Sequence, residues 1–127
     1  MDLTGFTYPS GPRGYLKAID PATGKAKWQV PWDIPSFSGV VTTGGGLVFT
    51  GEMTGEFAAF DADTGAKLWR YQTGSGVISQ PVVWQRDGHE YVTVASGIGG
   101  VFPLLAGDER LAKIPTGGSL TTFALMQ

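Results

Sequence analysis

Hydrophobic and polar positions alternate over short runs along this chain, and each run ends at a glycine or another turn-forming residue. The runs are rich in valine, phenylalanine and threonine, which is typical of β-strands, and no long window has apolar residues at helical spacing. The pattern predicts strands at 15–20, 26–30, 39–43, 47–51, 56–61, 67–72, 76–85, 89–97 and 119–125. An Asp87-Gly88 turn is predicted to join 76–85 and 89–97 as a hairpin.

A sequence repeat groups these strands. Residues 18–28, AIDPATGKAKW, align without gaps on residues 59–69, AFDADTGAKLW, at an offset of 59 − 18 = 41 residues. The identical pairs are Ala18 with Ala59, Asp20 with Asp61, Thr23 with Thr64, Gly24 with Gly65, and Trp28 with Trp69. A period of about 40 residues with several short strands per unit is typical of a β-propeller blade. We therefore predict an all-β partial propeller with half a blade, one complete four-stranded blade and three-quarters of a third.

The aspartates of the repeat raise the question of a metal site. Asp61 and Asp63 alternate as calcium ligands do, but Gln72 stands where a calcium loop needs glutamate, and Ala22 replaces Asp63 in the other copy. A turn explains the motif better, with the Asp61 carboxylate accepting backbone N–H groups ahead of a glycine with positive φ. No metal ligand is predicted here.

Three other features have a functional and a structural interpretation. Trp28 and Trp69 can stack on a ligand or pack between blades, and their recurrence favours packing. The glycine runs TGGGL and GIGG lie between strands rather than at the start of a helix, which disfavours phosphate binding. His89 follows the predicted hairpin turn, where a solvated histidine is expected rather than a catalytic one.

Composition and charge narrow the possible functions. The 127 residues fit one small domain, and a net charge of −2 without basic runs argues against nucleic acid as a partner. The absence of cysteine and the single histidine exclude disulfides, thiolate sites and multi-histidine zinc sites. The first 14 residues have no signal-peptide pattern, and no apolar run approaches the roughly 20 residues of a membrane helix.

From Gly14 onward the sequence resembles the C-terminal end of the quinoprotein alcohol dehydrogenases. The resemblance rests on the two tryptophan motifs and on three ordered segments at 38–61, 74–100 and 117–125. It implies that residues 1–127 are the C-terminal part of an eight-bladed propeller, whose last blade is completed by a strand from the start of the parent chain. It also implies oxidation of an alcohol in the periplasm by hydride transfer to pyrroloquinoline quinone, with a calcium or lanthanide ion and cytochrome c as electron acceptor.

The resemblance extends to a few residues near the cofactor. Phe37 occupies the position of a tryptophan near the quinone, and Gly100 with Val101 matches a glycine–tryptophan pair that contacts it. The catalytic and metal-binding residues of the family belong to earlier blades, so none is predicted here and the fragment alone is expected to be inactive. The partners implied are the remaining blades, and the exposed blade faces favour self-association.

The long loop predicted at 97–118 is the least repetitive part of the chain. DERLAK within it has the spacing of a short helical turn, with Glu109 and Lys113 four residues apart. Because long excursions from a compact domain are often functional, we expect it to cover one face of the propeller beside the cofactor. The alternative function is a non-catalytic propeller that acts as an assembly scaffold or binding platform.

Overall fold

Three antiparallel sheets and two short helices form the protein in a computed structural model that describes residues 10–126. Blade 1 pairs β1 with β2, blade 2 has the order β3-β4-β5-β6, and blade 3 has the order β7-β8-β9. The strands are β1 (Gly14–Ile19), β2 (Ala26–Trp32), β3 (Val41–Thr42), β4 (Leu47–Gly51), β5 (Glu56–Asp61), β6 (Lys67–Gln72), β7 (Val82–Arg86), β8 (His89–Ser96) and β9 (Ser119–Ala124). The prediction of an all-β partial propeller is confirmed.

The sequence repeat has the same backbone structure in both copies. Ala18 pairs with Trp28 across β1 and β2, and Ala59 pairs with Trp69 across β5 and β6. A register shift follows the alanine in each pair, and the motif glycines have φ angles of 70° and 75°. Each motif is thus a two-strand hairpin whose turn requires a residue with left-handed backbone conformation, which glycine adopts readily.

The central strands of blade 2 are buried on both faces because this blade lies between the other two. Phe49, Phe57 and Ala59 form a buried cluster with residues of blade 3 such as Val92. The alternate positions Val48, Ala58 and Phe60 form another with Leu16 of blade 1. Since successive side chains of a strand point to opposite faces, the central strands β4 and β5 contribute apolar residues to both interfaces.

The motif tryptophans lie at these interfaces. Trp28 of blade 1 donates a hydrogen bond of 2.9 Å from Nε1 to the carbonyl oxygen of Ala62 in blade 2. Its ring lies over Gly65, where an added Cβ would be 2.6 Å from the indole Cε3. Trp69 of blade 2 makes an edge contact with Phe123 of blade 3, with ring centroids 4.9 Å apart.

The aspartate of each motif organises its turn. Asp61 Oδ1 accepts hydrogen bonds from the backbone N–H groups of Asp63 at 2.9 Å and Thr64 at 2.8 Å, and Asp20 accepts from Ala22 in the same way. The backbone N–H of Thr64 is the main cause of the lowered pKa of Asp61. The Asp63 carboxylate is exposed and contacts Lys27 at 3.1 Å.

The innermost strands are shorter than the sequence suggests. The strand predicted at 39–43 is only Val41–Thr42, and the one predicted at 76–85 begins at Val82. Gly39 N–H donates to Ser79 O at 3.1 Å, and Gln80 Nε2 donates to Val40 O. Backbone groups preceding β3 and β7 therefore bond between blades rather than within a sheet.

Each sheet has two edge strands within residues 10–126, and those at the two ends of the chain are β1 and β9. β1 pairs only with β2, and β9 pairs only with β8. Beside β9 an apolar cavity of about 510 Å³ opens between blades 2 and 3, lined by residues including Trp69, Phe123 and Met126. Open edges of this kind can pair with further strands.

Candidate functional site

The connections between strands divide the molecule into two ends. The motif turns after β1 and β5 lie at one end, and four other segments lie at the opposite end, which we call the loop face. The segments of the loop face are 33–40, 52–55, 73–81 and 97–118. Hydrogen bonds join them, including Val77 N to Glu52 O at 2.9 Å and Gly97 N to Gly76 O at 2.8 Å. These segments thus meet on a single surface.

The segment 97–118, which we call the excursion, carries both helices. The helix α1 (Phe102–Ala106) was not predicted, although it has proline in its first turn and ends at Gly107 with φ of 58°. These are ordinary signals for the start and end of a helix. The helical turn predicted at DERLAK is a 3₁₀ helix, Glu109–Lys113, whose N-cap Asp108 accepts from Arg110 N–H.

A small apolar cluster holds the excursion on the loop face. Ile34 follows blade 1, Met53 lies in the β4–β5 turn, and both pack with Ile98, Ala106 and Leu111 of the excursion. All five are buried. Because these residues come from all three blades, the cluster fixes the excursion relative to each of them.

The buried Ser75 holds both ends of the excursion through hydrogen bonds. Its hydroxyl donates to Pro115 O and accepts from Ile98 N–H at 2.9 Å. Gly76 beside it leaves no room for a side chain, since a Cβ would lie 2.6 Å from Met53 O. The excursion is therefore a packed part of the fold.

The three residues predicted to contact a cofactor lie on the loop face. Phe37 contacts Phe102 with ring centroids 5.1 Å apart and an interplanar angle of 50°. Gly100 and Val101 precede Phe102 directly, and Val101 is the N-cap of α1. Phe37, Val101 and Phe102 are each more than a third exposed, so they present an apolar surface. Sequence reasoning missed Phe102, although an aromatic residue beside Val101 was a visible signal.

Two carboxylates of the loop face have shifted pKa values. Burial raises the pKa of Glu52, an effect that Lys67 at 4.0 Å opposes and that Glu56 and Asp33 reinforce. The pKa of Asp108 falls to about 2, chiefly through its side-chain hydrogen bonds with Arg110. Glu52 is thus paired with a lysine of β6, and Asp108 with an arginine of the excursion.

No group of three or more metal-ligating side chains occurs within residues 10–126. Asp61 and Asp63 lie at the opposite end from the loop face, where Asp61 is used by its own turn. His89 is exposed, and its Nδ1 lies 3.0 Å from Asp87 O in the hairpin turn. In the same part of the chain, neither helix is long and apolar enough to span a membrane.

Comparison with known proteins relates this architecture to one family. The PQQ_2 family profile, described as outer membrane protein assembly factor BamB, matches residues 12–114. The quinoprotein alcohol dehydrogenase PedH of Pseudomonas putida is 49% identical over 114 residues, which are 88% of this chain and 19% of PedH. The 1-butanol dehydrogenase (quinone) of Thauera butanivorans is 46% identical over 88% of this chain and 18% of its own length.

Solved structures agree with the sequence comparison. A europium-containing methanol dehydrogenase superposes with a TM-score of 0.76 at 32% identity, over 87% of this chain and 23% of its own. The quinohemoprotein alcohol dehydrogenase from Comamonas testosteroni gives 0.74 at 40% identity, over 87% and 16%. The chain thus spans less than a quarter of the length of each protein it matches here. It belongs to the PQQ-type propeller family, and within that family it is similar to part of the quinoprotein alcohol dehydrogenases.

Proposed function

We propose that this chain forms the C-terminal blades of a quinoprotein alcohol dehydrogenase that oxidises an alcohol with pyrroloquinoline quinone. The observation that carries the proposal is 45–49% identity to several such enzymes over 88% of the chain. Residues 1–127 then form part of one propeller domain, and the groups that carry out the chemistry belong to other blades. The chain by itself is expected to be inactive.

The loop face offers a wall for such a cofactor. Phe37 and Phe102 present aromatic surface, and Val101 adds an aliphatic contact. Gly100 has φ of 65°, and no atom of the described residues lies within 4 Å of the position of a Cβ, so its backbone is open to close approach. Apolar and aromatic side chains suit the face of a planar tricyclic ring. Bound pyrroloquinoline quinone would accept the hydride, while these residues contact its ring and exclude water.

The excursion has the position needed to border that cofactor. It carries Gly100 and Val101 and contacts Phe37 through Phe102, and it is fixed to all three blades. We therefore propose that residues 97–118 cover the loop face beside the cofactor. A calcium or lanthanide ion would be bound by residues outside the described part of this chain.

The remaining partners follow from the same proposal. They are the other blades of the parent propeller, an alcohol, and a cytochrome c that accepts the electrons in the periplasm. The unpaired edges of β1 and β9 are suited to pairing with further strands of the parent, and in the isolated chain they favour self-association.

The test uses the full-length protein that contains this chain. We expect ethanol oxidation with a dye acceptor after reconstitution with pyrroloquinoline quinone and either Ca²⁺ or a lanthanide. Phe37→Ala should raise the dissociation constant of the quinone about 3- to 10-fold, because an aromatic contact is lost. Leu68→Ala, which removes an exposed apolar side chain from the outer strand β6, is the matched control.

Absence of alcohol oxidation with either kind of ion would contradict the proposal. The alternative is then a non-catalytic propeller that acts as an assembly scaffold, which the description of the matching family profile suggests. A scaffold would neither bind the quinone nor lose a function when Phe37 is replaced.

A further inference from the structure

Arg13, which directly precedes β1, connects the first blade to the excursion. Its Nε donates to Asp33 O at 3.0 Å, just beyond β2, and its Nη2 donates to Ala106 O at 2.7 Å, at the end of α1. The two ends of the second hydrogen bond are 93 residues apart in the chain. Since Ala106 belongs to the excursion, Arg13 joins two parts of the chain that blade 2 and the strands β7 and β8 separate in sequence.

Three further charges complete this connection. Arg13 Nη2 lies 3.6 Å from Asp108 Oδ2, and the two side chains are only 13% and 15% exposed. Arg110 donates to both oxygens of Asp108, at 2.9 Å and 2.8 Å, and lies 4.0 Å from Asp33 Oδ2. The four charges alternate in sign, and two of the residues come from each of the joined segments. We call this group the Arg13 clamp.

The clamp and the apolar cluster have different functions in the packing. Ala106 is completely buried in the cluster, while its carbonyl oxygen accepts from Arg13. The cluster stabilises the excursion by burying apolar surface, which does not depend on orientation. The guanidinium of Arg13 donates hydrogen bonds, which do depend on orientation. The directional bonds add to this packing at the end of α1 that lies beside blade 1, and α1 begins at the Phe102 that contacts Phe37.

We propose that Arg13 is a positioning residue, which holds the excursion so that Phe102 contacts Phe37 at the surface proposed to contact the cofactor. The effect on cofactor binding rests on the proposed function, whereas the attachment of the excursion to blade 1 by Arg13 does not require a cofactor. Arg13 acts through the excursion and makes no contact with a substrate. Its loss should loosen the excursion and leave the strands of the blades intact.

The test is hydrogen exchange on the full-length protein without cofactor, followed by titration with pyrroloquinoline quinone in the presence of Ca²⁺. In Arg13→Met, amide exchange over residues 101–114 should accelerate about tenfold or more, with β4 and β5 unchanged. Arg13→Lys should be intermediate, because one ammonium group cannot reproduce the guanidinium fork. Arg86→Met is the matched control, since Arg86 is 78% exposed in the hairpin at the opposite end.

The quinone titration tests the consequence for the wall. The dissociation constant should rise about 3- to 10-fold in Arg13→Met and stay unchanged in Arg86→Met. Asp108→Asn, which keeps Arg13 and its two carbonyl bonds, should show a smaller change in the same direction. It serves as the informative variant if Arg13→Met does not fold.

Several results would overturn the inference. Exchange in the excursion equal to that of the control, or acceleration throughout all blades, would show that Arg13 does not position this segment. If the excursion loosens in Arg13→Met but the quinone affinity is unchanged, Arg13 does not affect the surface proposed to contact the cofactor. If the unaltered protein binds no quinone, the proposed function fails, while the exchange experiment still decides whether Arg13 holds the excursion.

Discussion

The two copies of the tryptophan motif provide a matched pair of glycines for testing how blades pack. Gly24 and Gly65 occupy the same turn position, with φ of 70° and 75°. Within residues 10–126, a Cβ on Gly24 has nothing within 4 Å, whereas a Cβ on Gly65 would lie 2.6 Å from Trp28 Cε3 and 2.7 Å from its Cδ2. Alanine at either site has the same backbone penalty, but only at Gly65 does it collide with the neighbouring blade.

The expected magnitudes follow from these distances. Gly24→Ala should lower the free energy of unfolding by about 0.5–1 kcal/mol, the left-handed penalty less the gain from a stiffer unfolded chain. Gly65→Ala should lower it by about 2–4 kcal/mol more, because the indole must move and its hydrogen bond to Ala62 is strained. Urea denaturation of the purified 127-residue chain measures both values.

A third measurement tests whether Trp28 causes the difference between the two glycine substitutions. On a Trp28→Ala background, Gly65→Ala should become as mild as Gly24→Ala, since nothing remains for the new methyl group to displace. Equal effects of the two glycine substitutions in the unaltered background would refute the close packing of the Trp28 ring on Gly65. So would a large Gly65→Ala effect that persists without the indole.

Three other substitutions test separate features. Trp28→Phe should lower the free energy of unfolding by about 1–2 kcal/mol in urea, because the Ala62 carbonyl loses its donor; an unchanged midpoint would contradict this. Gly76→Ala should lower it by about 2–3 kcal/mol, since its Cβ would lie 2.6 Å from Met53 O, and a neutral effect would refute the close approach. Asp108, with a folded pKa of about 2, contributes stability above its unfolded pKa and loses it as the pH falls toward 2. Asp108→Asn should therefore cost about 1 kcal/mol at neutral pH after allowance for solvent screening, and progressively less as the pH falls toward 2; a difference independent of pH would contradict the shifted pKa.

The blade strands could be predicted from sequence because their signals are local. The bounds predicted at 47–51, 56–61 and 67–72 agree with β4, β5 and β6. The alternation of side chains and the turn glycines suffice for these strands, since each is defined by residues next to one another.

The inner strands and the loop face could not be predicted in the same way. At residues 76–81 the chain has the composition of a strand, but its backbone groups find partners in a neighbouring blade, and no local pattern encodes that choice. The contact of Arg13 with Ala106 and Asp108 likewise depends on the packing of the blades, which brings segments distant in sequence together. The helix α1 is a different case, because its proline and glycine signals were present in the sequence.

The contact of Trp28 with Gly65 makes the interface between blades 1 and 2 directional. One blade supplies the indole and the next supplies the glycine that receives it, so the interface joins two different surfaces, as in a head-to-tail assembly. The open space over Gly24 is the receiving surface of blade 1. A preceding blade with the same motif would fill it with its own tryptophan, and Gly24→Ala would then become as damaging as Gly65→Ala. The severity of that single substitution is therefore a reporter of whether blade 1 has a neighbour on its free side.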